Sequence, residues 1–122
     1  MIEADLRNHL INDPAVNAII GSRMFLKKPI DQQTQPYLTF SRPVKTRDMV
    51  SEENRFRIIA FSKDTEQLEI LAAAIIDSLE GKTLLNNNFY YRNSFLAQTD
   101  SEEKLADGFF WSILTFRFKH TT

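Results

Sequence analysis

The residues best suited to chemistry are few. His9 and His120 are the only histidines, and cysteine is absent from the 122 residues. A Ser-His-acid arrangement needs an imidazole held between a nucleophile and a carboxylate. His9 falls in an amphipathic helical stretch and His120 in the last three residues, so neither reads as a general base. Without thiols there is no disulfide, thiolate zinc site, iron–sulfur ligation or Cys nucleophile. Glu52-Glu53 and Glu102-Glu103 pair carboxylates by adjacency alone, and adjacent side chains in extended chain leave on opposite faces. With three glycines in all, no phosphate-cradling loop forms, and GxSxG, Walker A, HExxH and GxGxxG are missing. The inventory argues against an enzyme and implies no cofactor or metal.

Residues suited to binding are more numerous. The last apolar run places Phe110, Leu114, Phe116 and Phe118 on one face of a strand and Phe109, Trp111 and Ile113 on the other. A central strand covered by helices on both sides would also look like this. The helices readable here blanket one face of a sheet more easily than two, which makes Phe109, Trp111 and Ile113 a candidate oligomer interface. For Trp111 the core and partner-surface readings both stand. A second cluster, Arg42, Lys45, Arg47, Arg55 and Arg57, is interleaved with Asp48, Glu52 and Glu53, leaving a local excess of two positive charges. That pattern fits a solvated hairpin with cross-strand ion pairs better than a nucleic-acid surface, which adds clustered basic excess to stacking aromatics.

These residues need elements to hold them. Ile2 to Ile11 reads as an amphipathic helix on Ile2, Leu6, Leu10 and Ile11. Asp13-Pro14 restarts a short helix that buries Val16, Ile19 and Ile20 and stops at Gly21. Arg23 to Leu26 reads as a short extended piece, and Lys27 to Pro36 as a surface loop. Tyr37 to Arg42 and Arg55 to Ser62 alternate as strands, predicting a long hairpin whose charged tip projects. A helix over about 64–80 follows, capped by Asp64 with Gln67 three residues on and striped by Leu68, Leu71, Ala72, Ile75 and Leu79. Strands near 89–98 and 109–119 flank the acidic turn Asp100 to Lys104.

The expected fold is α+β: an antiparallel or mixed sheet of four to five strands, packed by one long helix and an N-terminal helical pair, in the order ααβββαββ. Length and a 43% hydrophobic content suit one domain over residues 1–122. A formal net charge of −1 is not the footprint of a general nucleic-acid or anionic-membrane binder. The N-terminus has neither the basic nor the apolar region of a signal peptide, and no apolar run is long enough to span a membrane.

Four segments, in order, carry a resemblance. They are Met1-Ile2-Glu3-Ala4 through Asp13-Pro14-Ala15-Val16 to Gly21-Ser22-Arg23-Met24; Pro36-Tyr37-Leu38-Thr39-Phe40 leading to Thr46-Arg47-Asp48; Arg57-Ile58-Ile59-Ala60-Phe61-Ser62 into the helix ending Leu79-Glu80-Gly81; and the terminal aromatic strand. Together they resemble the tail completion, or tail terminator, proteins of long-tailed bacteriophages and prophages. The sequence departs from that pattern in being glycine-poor at the first hairpin tip, where Met49-Val50-Ser51 sits.

The resemblance implies a structural virion protein that caps the tail tube as a ring, expected to be a hexamer, and forms the head–tail joining surface. Its partners would be copies of itself, the tail tube protein and a head–tail connector protein, with DNA a passing, non-specific contact in the channel. It would reside at the tail–head junction of the virion, after assembly in the host cytoplasm. Lys45, Arg47, Asp48, Met49, Glu52 and Glu53 are then a candidate projecting arm that touches a neighbour, the tube or the channel. Two alternatives are another neck or head-completion protein and a nucleic-acid-binding module built on the 42–57 hairpin. An enzyme with a non-obvious carboxylate site has no positive signal.

Overall fold

The structure, a computed structural model, describes residues 2–26, 33–47, 51–86 and 89–121; side chains are described at all of these except 2, 42–45, 47, 51, 85, 86, 89, 90 and 121. The elements are α1 (Ile2–Ile11), α2 (Pro14–Ile20), β1 (Met24–Leu26), β2 (Tyr37–Arg47), β3 (Ser51–Ser62), α3 (Thr65–Leu79), β4 (Thr83–Asn86), β5 (Phe89–Asp100) and β6 (Phe110–Thr121).

The helices start and stop where their chemistry directs. The Asp13 carboxylate accepts the Ala15 and Val16 N–H groups at the start of α2, with Pro14 in the first turn, and Gly21 ends it at φ 59°. Asp64 caps α3 through the Glu66 N–H at 3.0 Å. The expected reciprocal contact from Gln67 is replaced, because the Gln67 Oε1 accepts from the Ser62 hydroxyl while that hydroxyl accepts the Asp64 N–H. Arg7 ties α1 to the sheet through the Met24 and Ser22 carbonyls, and Arg23 bridges the Pro36 and Ile19 carbonyls. These bonds satisfy carbonyls that the short elements would leave open.

The six strands form one sheet in the order β1-β2-β3-β6-β5-β4. β1 runs parallel to β2, and the other pairs are antiparallel. The expected four- to five-stranded sheet is thus a six-stranded mixed one, in the order ααβββαβββ. The added strand, β4, is four residues at an edge, too short for its alternation to stand out from a loop.

The central pair is in register from Ser51↔Thr121 to Ser62↔Phe110. The hairpin is longer than expected: β2 and β3 continue to Arg47 and Ser51, and β6 accompanies β3 to its first residue, so residues 43–47 and 51–54 are strand, while the tip at 48–50 lies outside the described residues. The strand outruns its apolar residues because Glu52 and Asn54 occupy inward positions that hydrophobic patterning would assign to a loop.

One face of the sheet receives all three helices. Leu38, Phe40, Phe56, Ile58, Ala60, Leu114, Phe116 and Phe118 meet Leu6, Leu10, Val16, Ile20 and the α3 stripe in a single core. Edge-to-face contacts of Phe56 with Phe118 (5.3 Å) and Phe95 with Phe116 (5.6 Å) fill its middle. Full burial of such a side chain stabilises the fold by about 1.5–3 kcal/mol.

Candidate functional site

The opposite face, called the outer face below, carries no helix among the described residues. The pleat and register place Phe25, Tyr37, Ile59, Phe61, Trp111 and Ile113 there at one end, and Arg55, Arg57, Thr115, Arg117, Lys119 and Arg92 toward the other. At the apolar end Tyr37 stacks on Phe61 with ring centroids 4.6 Å apart, and Phe25 meets Tyr37 edge-on at 6.2 Å. Trp111 pairs with Phe61 and Ile113 with Ile59, and all four are half-buried.

Phe109 differs from the other two residues expected beside it. It precedes β6, after the Asp107–Gly108 turn, and is only 2% exposed. Its ring packs edge-on against Tyr37 at 5.3 Å and Phe61 at 6.5 Å, with the Lys63 ammonium 5.2 Å from its centroid. The chain itself therefore covers Phe109, which leaves Trp111 and Ile113 as the expected interface residues that keep surface. Burial raises the Tyr37 hydroxyl pKa above its ordinary 10.0, and the Asp107 carboxylate adds to the rise.

The candidate arm residues separate. Glu52 is 6% exposed on the helix side and accepts the Tyr91 hydroxyl at 2.9 Å, so it offers no side chain to a partner as the arm reading expected. Its neighbour Glu53 leaves on the outer face, 2.8 Å from Arg55 and 3.9 Å from Arg117. The adjacent carboxylates thus part across the sheet. Lys45 and Arg47 lie in β2 opposite Asn54 and Glu52; Asp48 and Met49 lie outside the described residues.

The sequence reading missed a buried polar group at the far end of the helix-covered face. Tyr91 meets His120 edge-on at 5.3 Å beside Glu52, with Asn54 and Asn93 each 1% exposed. The available signal was alternation in 89–93 and 118–120, which puts Tyr91, Asn93 and His120 on the core side. One surface depression lies between α1 and β4 around His9 and Lys82, and another lies around Gln98, Asp100, Ser112 and Glu69. Neither includes Glu52, Tyr91 or His120. No group of three metal-ligating side chains gathers among the described residues, and no described helix is long and apolar enough to cross a membrane.

Comparison with known proteins matches this arrangement to one family. The model of the family described as tail completion protein gp17 matches residues 4–121. A chain in the virion of a native gene transfer agent (GTA) particle shares the fold, with a TM-score of 0.82 at 16% identity, covering 98% of this chain and 94% of that one. No curated protein sequence matches.

Proposed function

We propose that this chain, which belongs to the tail completion protein gp17 family, caps the tail tube as an oligomeric ring and forms the head–tail joining surface. Members of that family are structural phage proteins, not enzymes. The reading takes residues 1–122 as one domain. It places the protein in the virion at the tail–head junction, with other copies, the tail tube protein and a connector protein as partners.

The observation that carries the reading is the helix-free apolar end of the outer face, where Trp111 beside Phe61 and Ile113 beside Ile59 stay half-buried. A large aromatic side chain on such a face stabilises association through roughly 25 cal/mol per Å² of apolar area removed from water. A neighbouring copy supplies the cover that the three helices give the other face. The gene transfer agent chain that shares the fold is itself part of a virion, which fits assembly into a particle.

Native mass spectrometry and negative-stain micrographs of the purified protein, alone and with tail tube protein, test this. Closed rings are expected. A strictly monomeric species under both conditions overturns the ring.

A further inference from the structure

The outer face is zoned along its strands, and its basic end is complementary in charge to the acidic turn beyond its apolar end. Arg55 and Arg117 sit directly opposite one another across β3 and β6, and Lys119 sits opposite Arg92 across β6 and β5. Like charges in directly opposed positions destabilise a sheet. Glu53 relieves the first pair through its contacts with both arginines. Lys119 also has Glu53 opposite it on β3, so the zone holds five cations, Arg55, Arg57, Arg92, Arg117 and Lys119, against that one carboxylate among the described residues, and Arg57, Arg92 and Lys119 are exposed. A locally unfavourable cluster kept on an otherwise ordinary surface marks a place where something else completes it.

The complement lies on the same chain. The β5–β6 turn carries Asp100, Glu102, Glu103 and Asp107 against Lys104, all exposed. Asp100 and Asp107 are engaged locally, by Ser112 and Gln98 and by the Phe109 N–H respectively. Glu102 and Glu103 stand at the tip. The turn lies beyond Trp111, about 14 Å along β6 from Thr115, the partner of Arg57, and about 20 Å from Arg117, roughly two Debye lengths at physiological salt.

We propose that the acidic 100–107 turn of one copy docks on the Arg55, Arg57, Arg117, Lys119 and Arg92 zone of the next, joining copies head to tail and fixing the register of the ring. The inference rests on the ring reading above and names the contact that sets it. A second copy fits better than nucleic acid, because the zone is broken by Glu53 and its uncharged outer-face neighbours, Thr115 and Ser94, offer no stacking platform. The joint is heterologous, the kind that closes into a ring when the rotation per copy permits.

Charge reversal tests it by sedimentation of the full chain. Glu102→Lys with Glu103→Lys, and separately Arg57→Glu with Lys119→Glu, are each expected to weaken self-association roughly tenfold or more. Combining all four is expected to restore it. Raising salt from about 0.1 M to about 1 M is expected to weaken the parent and leave the uncharged set Glu102→Gln, Glu103→Gln, Arg57→Gln nearly unchanged. That set also serves if a reversal variant fails to fold by circular dichroism.

Parent-like assembly of both reversal variants overturns the inference while leaving the ring reading intact. Assembly that stops at a dimer, held by two reciprocal turn contacts, overturns the head-to-tail joint. A parent that stays monomeric, with tail tube protein present, overturns both. If Arg57→Glu with Lys119→Glu loses only binding to duplex DNA, the zone belongs to nucleic acid and the inference falls.

Discussion

On β6, Leu114, Phe116 and Phe118 point toward the helices and are fully buried, whereas Trp111 and Ile113, one residue out of step, lie half-buried on the helix-free face. Both rows are comparably apolar. What separates them is cover: α3 packs on β3, β5 and β6 from one side only. The same side-chain chemistry therefore does folding work on one face and is available for association on the other. The outer face also changes along its length, from stacked aromatics to paired cations, while the helix-covered face changes from hydrophobic core to the Glu52, Tyr91 and His120 group.

Phe116→Ala probes the covered face and should have the largest effect on folding. Loss of the ring that packs on Phe95 is expected to destabilise the chain by about 3–5 kcal/mol in denaturant unfolding. A loss no larger than that of an outer-face residue breaks the comparison.

Phe109→Ala sharpens it, because Phe109 belongs to the helix-free side yet is covered by its own chain. A cost of about 3 kcal/mol is expected by the same measurement, with Tyr37 and Phe61 losing an edge-on partner. A near-neutral result would return Phe109 to the partner surface.

Trp111→Ala should separate the two roles. Folding stability is expected to fall by about 1 kcal/mol, with far-UV circular dichroism unchanged. Self-association should weaken by about 2 kcal/mol, or some thirtyfold, on sizing or sedimentation. Unfolding of the variant would assign Trp111 to the core instead.

The smallest effect is the pH dependence at Tyr37. Its folded-state pKa lies above the unfolded value of 10.0, so folding favours the neutral phenol. That contribution is complete below pH 10 and is lost as pH rises through the folded-state pKa. Unfolding midpoints should therefore decline on the alkaline side, and Tyr37→Phe should flatten that part of the curve. An unchanged slope in the variant would detach the effect from this hydroxyl.

Much of the fold was readable because its signals are local. Asp13-Pro14 and Asp64 mark helix starts by the bonds their carboxylates can make, and the α3 stripe repeats at helical spacing. Period-two alternation put Trp111 and Ile113 opposite Leu114, Phe116 and Phe118 without knowledge of any neighbour. The weak points have equally local causes. β4 is too short to show a period, and the start of β3 carries Glu52 and Asn54 where patterning expects apolar residues. For Phe109, alternation gave the side of the sheet but could not show Tyr37 and Phe61 closing over it.

The sequence by itself determined the type of every element but β4, the two-faced character of the last strand and the lack of catalytic sequence motifs, since each follows from residue type and short-range spacing. The tertiary structure decided which face is covered, that Phe109 is enclosed, and that Arg55 meets Arg117 and Arg92 meets Lys119. Those outcomes depend on pairing between segments tens of residues apart, and register across such distances is set by the packing of the whole sheet.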